Sequence, residues 1–590
     1  MRKTKLARLL ALLLAMAMLA AACASDDTEE AEGEETEEAT EEVTEEEAAP
    51  TVVSYGNAQE FSNYNNGLAS SNSVKNSIIL NEILPSPYAF AGPTGELALN
   101  TELMDAVNVL SEDPLQVEWV VNADAAWSDG APVDCDDWYF TWQAYNGTHV
   151  TLDENGDPVI DEESEAEIGL FAVTGSTGYD VIDSISCSED GKTITVSYGE
   201  IFADWQASFS LMMPAHVIAE QAGVEDLIAA FDGGDYDAIA AMADFFNNGW
   251  TVDPGTIVPE IMPSAGPLAL GTWEAGASLT LVPNEAYWGT PANGDVVVRY
   301  IAEEAQAQAL ANGEINAMDP QPTPDLLAAL EGTEGVTVET GSQFIWEHFD
   351  FNFNTVFADR QVREAFALCL PRQQIVQNLI QPLDPTAGIL NNRYNQPFES
   401  AYVDASNGAY DEVDLEGAQA LLDASGIAQP VDVRIGWFDN GGNARRTDQV
   451  ALTMASCNQV AGFNIIDAGS ETFFDVELAA GDWDIAMFAW AGSPLKTGSS
   501  DIYRTDGGIN FGGYGNPDVD ALLDAINVTP DAAAQADLGN QIDAILWEDL
   551  VTIPVFSFPG VVAYSSNAEN VIYNPSQNGL TFNASAWLLS

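Results

Sequence analysis

Short runs that alternate apolar and polar residues, or that are rich in β-branched residues, recur along the chain. Alternation turns one face of a strand towards a core, and Val, Ile, Thr and aromatic side chains favour extended backbone. The sequence predicts strands at LQVEWVVN (115–122), TITVSYG (193–199), LTLVPN (279–284), DVVVRYI (295–301), VDVRIGWF (431–438), DIAMFAW (484–490) and VTIPVFSF (551–558). Segments with helical spacing alternate with these strands.

Three of the helical segments carry signals for a helix end. Asp359 can cap a helix that begins with RQVREAFALC. The segment LEGAQALLDASG (415–426) ends at Gly426, and glycine is favoured just past a helix because it accepts left-handed backbone. Thr529 and Pro530 can open a third helix, since proline suits the first helical turn. Strands that alternate with helices over this length predict an α/β architecture.

The first 22 residues have the composition of a secretory signal. Four basic residues lie within the first eight positions, Leu9 to Leu19 is almost wholly apolar, and three alanines follow. The apolar run is too short for a comfortable membrane span, which needs about 20 residues. We therefore predict a signal peptide over residues 1–22.

Cys23 directly follows the small residues of this signal. The position resembles a bacterial lipobox, in which the cysteine becomes the lipid-anchored first residue, although Ala20 stands where that motif usually has leucine. Residues 26–48 then hold fourteen acidic residues and no basic or aromatic one, so they cannot bury enough apolar area to fold. We predict a lipidated Cys23 and an acidic, extended linker over residues 23–50; ordinary signal cleavage beside an unmodified cysteine is the alternative.

The chain beyond the linker is strongly acidic. The protein has 16 Lys and Arg against 93 Asp and Glu; the first 50 residues hold 4 and 14 of these, which leaves 12 against 79 and a net charge of −67. Nucleic acid and anionic lipid surfaces both attract clustered basic residues, so we expect neither as a partner. The length after residue 50 exceeds what one core normally serves, and two or three lobes are expected.

Cysteine and histidine content limits the possible bridges and metal sites. Four cysteines remain after Cys23, and they are Cys135, Cys187, Cys369 and Cys457. An even number in an exported protein suggests two disulfides, for which three pairings are possible. The three histidines are far apart in sequence and there is no CxxC motif, so we expect no metal site.

A series of motifs carries a family resemblance that spans roughly residues 75 to 560. In order along the chain they are WSDGAPVDCDDWYFTWQAYN (127–146), MMPAHVI (212–218), GPLALGTWEAGASLTLVPNEAYWG (266–289), QALANGEINAM (308–318), FDFNFNTVFADRQVREAFALCLPRQQIV (349–376), YDEVDLEGAQALLDASG (410–426), GDWDIAMFAW (481–490), YGNPDVDALL (514–523) and TIPVF (552–556). Together they resemble family 5 of the extracytoplasmic solute-binding proteins, which serve peptide-type ABC importers and include oligopeptide- and dipeptide-binding proteins.

The resemblance implies an α/β, two-lobed, periplasmic-binding-protein-like fold of the class II type, in the large peptide-binding subgroup, with two crossing hinge strands. Carried onto this chain, lobe I comprises residues 51–302 plus 546–590 and lobe II comprises 303–545. The crossings then lie near Tyr300–Glu303 and Trp547–Pro554. A two-strand hinge of this kind permits closure on a ligand.

This division into lobes also bears on the cysteines. Among the three possible pairings we favour Cys135–Cys187 and Cys369–Cys457, because each bridge then lies within one lobe.

The implied function is capture of a solute, in the first place an oligopeptide, and its delivery to the permease of an ABC transporter. The protein would be a monomer outside the cytoplasm, held at the outer face of the cell membrane by lipidated Cys23. Such a binding site needs aromatic walls and a few aimed polar groups. We expect no catalytic residue and no cofactor.

Four residues are candidates for ligand contact. Trp490 ends the strand DIAMFAW at a tryptophan that the family places in its cleft, and Asn354 and Tyr88 fall in segments near the family's ligand. Oligopeptide binders typically carry an aspartate three residues after this tryptophan, which pairs with the α-ammonium group; here the residue is Ser493. A neutral hydroxyl gives no charge-assisted bond, so either the ligand has no free amino terminus there or another carboxylate supplies the charge.

Two other functions stay open: a secreted cell-surface hydrolase and a passive surface lipoprotein. Neither a G-x-S-x-G motif nor a P-loop occurs, and paired carboxylates are too frequent in this chain to indicate a glycosidase. Capture predicts ligand retention without turnover, the hydrolase predicts product, and the passive protein predicts neither.

The charge generates a prediction about salt. Self-repulsion weakens as the Debye length shortens from about 30 Å at 0.01 M to about 3 Å at 1 M salt. We therefore expect the protein to melt at a higher temperature in about 1 M than in about 0.01 M sodium chloride, as followed by circular dichroism. Equal melting temperatures would contradict this expectation, and with it the saline habitat that we infer from the acidity.

Overall fold

The computed structural model describes residues 51–160, 167–441 and 443–590. The predicted signal peptide, Cys23 and the acidic linker to residue 50 lie outside the described residues. The strands are β1 (Thr51–Asn57), β2 (Tyr88–Ala91), β3 (Glu96–Leu99), β4 (Met104–Glu112), β5 (Leu115–Val121), β6 (Ile182–Cys187), β7 (Thr193–Tyr198), β8 (Leu268–Glu274), β9 (Ser278–Pro283), β10 (Gly294–Tyr300), β11 (Ala317–Met318), β12 (Val336–Phe351), β13 (Val431–Phe438), β14 (Phe463–Ser470), β15 (Ile485–Ala491), β16 (Thr552–Ser565), β17 (Ala568–Glu569) and β18 (Leu588–Leu589).

The helices lie between these strands. They are α1 (Val74–Leu80), α2 (Cys135–Tyr145), α3 (Ala215–Ala222), α4 (Leu227–Gly233), α5 (Tyr236–Asn248), α6 (Glu303–Ala311), α7 (Pro324–Glu331), α8 (Arg360–Cys369), α9 (Arg372–Ile375), α10 (Leu415–Ser425), α11 (Ala444–Cys457), α12 (Ser500–Tyr503), α13 (Pro517–Asn527) and α14 (Ala532–Asp549). Two π-helical turns, Val376–Ile380 and Phe473–Glu477, add to them.

A mixed sheet of ten strands organises the fold. Its order is β14-β13-β15-β12-β16-β11-β1-β10-β9-β8. β1 runs parallel to β10 and β11, and β13 runs parallel to β14 and β15, while the central β12–β16 pair is antiparallel. A separate antiparallel sheet, in the order β4-β5-β7-β6, accompanies it. The predicted α/β class is confirmed.

All seven strands predicted from the pattern are present, with boundaries shifted by a residue or two apart from β16, which extends to Ser565. The Asp359 carboxylate accepts the Gln361 amide and caps α8 as predicted. Gly426 follows α10 in left-handed conformation, also as predicted. The predicted start of α14 is wrong: Asp531, not Thr529-Pro530, caps this helix, because its carboxylate accepts the amide of Ala534.

Two large hydrophobic cores form the two lobes of the fold. The first runs from Val53 to Ala317 and takes in C-terminal residues from Val562 to Trp587. The second runs from Phe349 to Met487 and takes in residues from Trp547 to Phe558. The long strand β16 contributes to both cores, with Val562 in the first and Ile553 to Phe558 in the second. Its partner β12 contributes Phe349 and Phe351 to the second core.

The exact lobe boundaries stay a prediction. A smaller core from Ala309 to Leu330, in the segment assigned to lobe II from the sequence, packs on Val561 and Ala563 of β16. Next to it, β11 lies between β1 and β16 in the sheet.

Each large core contains at least one cysteine of a disulfide. Cys135 is bonded to Cys187, and Cys369 is bonded to Cys457. This is the pairing favoured from the sequence. Cys369 and Cys457 are fully buried, and Cys135 nearly so.

Among the helices of residues 51–160, 167–441 and 443–590, none is both long enough and apolar enough to cross a membrane.

The buried carboxyl group of Glu82 generates a prediction about pH. Burial raises its pKa from 4.5 to about 8, against the opposing effect of hydrogen bonds from Ser585 and Ala584. Between about pH 5 and 8 the native state therefore keeps a proton that the unfolded chain has released, and stability falls as the pH rises. We expect Glu82→Gln to reduce this fall by up to about 1.4 kcal/mol per pH unit, measured by urea unfolding at several pH values.

Glu96→Gln is the matched control, since Glu96 is exposed. Parallel stability profiles for the Glu82 variant and the unaltered protein would contradict the prediction.

Candidate functional site

A cavity of about 1680 Å³, with solvent at its mouth included, is called the larger cavity here because a smaller one adjoins it. Parts of both lobes line it. β1 and α1 come from the first lobe, while β15 and the π-helical turn Phe473–Glu477 come from the second. Residues of β12, of α11 and of the loop after β11 complete the wall.

Trp490 stands between this cavity and a smaller one. The smaller cavity has a volume of about 970 Å³, and both cavities are lined by Asn72, Trp490, Ala491 and Gln577. The Trp490 ring lies parallel to Phe511 with centroids 6.4 Å apart, and edge-on to Phe488 at 5.0 Å. Its indole N–H is buried and has no partner among the described residues, so it is free to donate to a ligand.

β15 presents part of its backbone edge beside Trp490. The ladder with β12 continues to the pair Ile345–Ala491. On the other side, the ladder with β13 holds only the pairs Ile435–Ile485 and Gly436–Ala486. Residues 487–491 therefore have no strand neighbour on that side within the described chain. An extended peptide can add to such an edge through main-chain hydrogen bonds.

β12 lines both cavities through side chains that point alternately to its two faces. Its ladder with β16 breaks between Ser342, opposite Pro559, and Trp346, opposite Ser557. Within this stretch Gln343 and Ile345 line the larger cavity, whereas Phe344 and Trp346 line the smaller one. The register shift in the ladder with β16 thus falls in the stretch of β12 that borders both cavities.

Two arginines at the start of α11 form the main buried charge cluster. Arg446 Nε lies 3.0 Å from Glu347 Oε1, and Arg445 Nη1 lies 3.2 Å from Glu347 Oε2. Burial acts to raise the pKa of Glu347, but the two guanidinium groups outweigh it and hold the pKa below its usual value. The Glu347 carboxylate is therefore ionised, and Arg446 is held against the cavity wall.

Two further carboxyl groups line the larger cavity, those of Glu303 and Asp319. Burial raises the pKa of Glu303 to about 7, although Arg445 and Arg446 act to lower it. Burial also raises the pKa of Asp319 to about 7, with only a hydrogen bond from Gln343 acting against it.

Two residues in the wall of the larger cavity form an ion pair. Lys75 Nζ of α1 lies 2.9 Å from Asp475 Oδ1 and 3.0 Å from Asp475 Oδ2. Lys75 is nearly buried, and the Asp475 side chain is 44% exposed. α1 belongs to the first lobe, whereas Asp475 lies in the π-helical turn between Ile465 and Ile485 of the second core. The pair therefore connects the two halves beside the site.

The smaller cavity is lined by both charged and amide side chains. Lys496 Nζ donates to Glu399 Oε1 at 2.6 Å. Asp501 Oδ1 accepts a hydrogen bond from the Thr177 hydroxyl at 2.8 Å, and burial raises the pKa of Asp501 to about 6. The side-chain oxygen of Gln396 is buried without a partner among the described residues.

The structure brings together two of the four ligand residues predicted from the sequence. Trp490 lines both cavities and Ser493 lines the smaller one. Asn354 lines neither; it is exposed beyond the end of β12. Tyr88 also lines neither, because its ring packs edge-on against Trp119 and Trp205 in the first core.

Sequence reasoning missed the residues that set the charge of the cavity. Arg445 and Arg446 form an arginine pair in a chain with only 16 basic residues, which was a usable signal. Asp319 gave no such signal, since acidic residues are common throughout the chain.

With aromatic walls, a free strand edge and isolated charged groups, the site is suited to hold an extended polar molecule rather than to activate a nucleophile. Within the described ranges, no group of three or more His, Cys, Asp or Glu side chains is arranged to hold a metal ion.

A family model described as bacterial extracellular solute-binding proteins, family 5, middle part, matches residues 93–509. A lipoprotein of Mycobacterium tuberculosis, named as uncharacterized, is 27% identical over 528 residues, or 85% of this chain and 87% of that protein. An oligopeptide-binding protein of Mycobacterium bovis is 25% identical over 505 residues, or 82% and 76% of the two chains.

Two solved structures are similar across nearly the whole chain. The oligopeptide-binding protein AppA of Bacillus subtilis, described in complex with a nonapeptide, is 17% identical with a TM-score of 0.73, over 91% of this chain and 99% of that one. The periplasmic EDTA-binding protein EppA is 20% identical with a TM-score of 0.73, over 91% and 96%. At these identities the similarity shows a shared fold.

The Lys75–Asp475 pair generates a prediction about stability. Because Asp475 is 44% exposed, we expect a coupling energy of no more than about 1 kcal/mol. A double-mutant cycle with Lys75→Met, Asp475→Ala and the double variant, read from urea unfolding, measures this coupling. It should shrink in high salt. A coupling of zero at low salt would show that the pair contributes nothing to holding the halves together.

Proposed function

Because the chain belongs to family 5 of the bacterial extracellular solute-binding proteins, we propose that it captures an oligopeptide outside the cytoplasm and delivers it to the permease of an ABC importer. The observation that carries this proposal is the unpaired β15 edge over residues 487–491, beside Trp490 and between two adjoining cavities. A peptide backbone can pair with the edge while its side chains enter the cavities on either side of the tryptophan.

The names of relatives support a peptide as the ligand class. One relative is named an oligopeptide-binding protein, and one structural neighbour is described with a bound nonapeptide. Another neighbour is named for EDTA, so the fold itself does not select peptides. The choice of peptide rests on the strand edge, which suits a ligand with repeated amide groups.

Closure around the ligand supplies the capture mechanism. A ligand shifts a two-state equilibrium only by its differential affinity for the two states. A solute that touches β1 and α1 on one side and β15 on the other binds the closed form more tightly than an open one. The closed form then carries a distinct surface to the permease. We assign lipidated Cys23 as the membrane anchor, in line with relatives that are named lipoproteins.

Trp490 provides the test of the site. We expect Trp490→Ala to weaken retention of peptides at least about tenfold, which corresponds to about 1.4 kcal/mol of lost ring contact. An equimolar pool of synthetic tri- to hexapeptides serves as the probe, and native mass spectrometry of the peptide-loaded protein measures retention. The same spectra show whether the peptides are cleaved. Peptide masses that stay unchanged during the incubation would contradict the hydrolase alternative.

Trp288→Ala is the matched control, since Trp288 lies outside both cavities and donates to the Glu102 carbonyl oxygen at 2.7 Å. Equal retention by the Trp490 variant and this control would contradict the site. Failure of the unaltered protein to retain any peptide would contradict peptide capture and favour a passive surface protein.

A further inference from the structure

Five charged side chains line the larger cavity, and they are Lys75, Glu303, Asp319, Arg446 and Asp475. Their partners differ. A charged group taken out of water is stable only when an opposite charge or hydrogen bonds compensate it. A charged group in the cavity wall that has no opposite charge nearby therefore indicates that the ligand carries that opposite charge.

Four of the five groups have an opposite charge at hand. Lys75 and Asp475 pair with each other at 2.9 Å. Arg446 pairs with Glu347 at 3.0 Å. Glu303 faces the two guanidinium groups of α11, which act to lower its pKa. Lys75 and Asp475 cancel each other, and the charges of Arg445, Arg446, Glu347 and Glu303 sum to zero.

Asp319 has no cation near it. Among the described residues it takes part in no ion pair, and its hydrogen-bonding partner is the Gln343 side chain. The groups that sense its charge are the phenols of Tyr55 and Tyr573, whose pKa values are raised by burial first and by the Asp319 carboxylate second. A neutral amide and two phenols do not neutralise a carboxylate.

The backbone fixes the position of Asp319 on the wall. It directly follows β11, whose two residues are held between β1 and β16 in the sheet. Pro320 comes next and restricts the chain further. The carboxyl group is thus presented to the cavity from the residue that directly follows a strand of the large sheet.

Asp501, the acidic residue that lines the smaller cavity, has different surroundings from Asp319. Asp501 accepts the Thr177 hydroxyl at 2.8 Å, and Arg504 acts to lower its pKa. Ser493, which also lines that cavity, offers only a hydroxyl. Asp501 thus differs from Asp319 in having a cation, Arg504, that acts on its charge.

We propose that Asp319 binds a primary ammonium group of the ligand, which supplies the positive charge that the larger cavity lacks. This inference rests on the proposed peptide capture and names the part of the peptide that is recognised. Two sources of the group exist, the amino terminus and a lysine side chain. A charge-assisted hydrogen bond in a partly dry site is stronger than a neutral one, so peptides without any ammonium group should bind more weakly.

Three synthetic tetrapeptide pools of matched composition test the proposal. The first has free amino termini and no Lys or Arg, the second is the same pool with acetylated amino termini, and the third is acetylated but carries one Lys per peptide. Retention by the full chain is measured by native mass spectrometry in direct competition. We expect the unaltered protein to retain the first or the third pool at least about tenfold better than the second.

The Asp319→Asn variant should lose this preference while still folding, which thermal unfolding checks; Asp319→Ser is the second variant should the first not fold. Asp253→Asn, at an exposed carboxylate outside both cavities, is the control that should keep the preference. Preference for the first pool assigns the amino terminus, and preference for the third assigns a lysine side chain.

The outcomes separate the two proposals. Equal retention of all three pools by the unaltered protein overturns the role of Asp319 but leaves peptide capture standing. A preference that persists in Asp319→Asn and Asp319→Ser does the same. Retention of none of the pools overturns peptide capture, and the ammonium site with it.

Discussion

The antiparallel pairing of β12 with β16 is the constraint on which the rest of the structure depends. The ladder runs from Val336–Ser565 to Asp350–Thr552 and so passes from the region of one large core to the other. One of its two register shifts, between Ser342 and Trp346, lies where β12 borders the two cavities. The same strands thus hold the halves in one sheet and supply the irregular stretch that forms the ligand wall, which ties the site geometry to the integrity of the sheet.

The small number of basic residues also determines the charge of the site. Most buried basic groups are committed to the fold: Arg393 to Asp543, Arg445 and Arg446 to Glu347, Lys496 to Glu399, and Lys192 to the carbonyl oxygens of Ala125 and Val133. With 16 basic residues against 93 acidic ones, few remain to neutralise carboxylates elsewhere. In the larger cavity this scarcity leaves Asp319 without a cation, which is the basis of the ammonium site proposed above.

Much of the fold followed from the sequence, because strands such as 431–438 and caps such as Asp359 are local signals. The family resemblance located Trp490 and Ser493 on the cavities. It did not do so for Asn354 and Tyr88, since a motif fixes a segment but not which side chain of it faces a cavity. Asp319 could not be found from sequence, because its distinction is the lack of a nearby cation, which depends on residues hundreds of positions away.

The two disulfides follow each other along the chain without interleaving, since Cys187 precedes Cys369. The first cross-link is attached to the first core through Cys135, and the second lies inside the second core. No covalent bond other than the main chain therefore ties one half to the other, and oxidation stiffens each half without restricting rotation between them. The two bridges can also form in the order in which their cysteines leave the export channel. The first can form before Cys369 and Cys457 have emerged, which avoids wrong pairing with them.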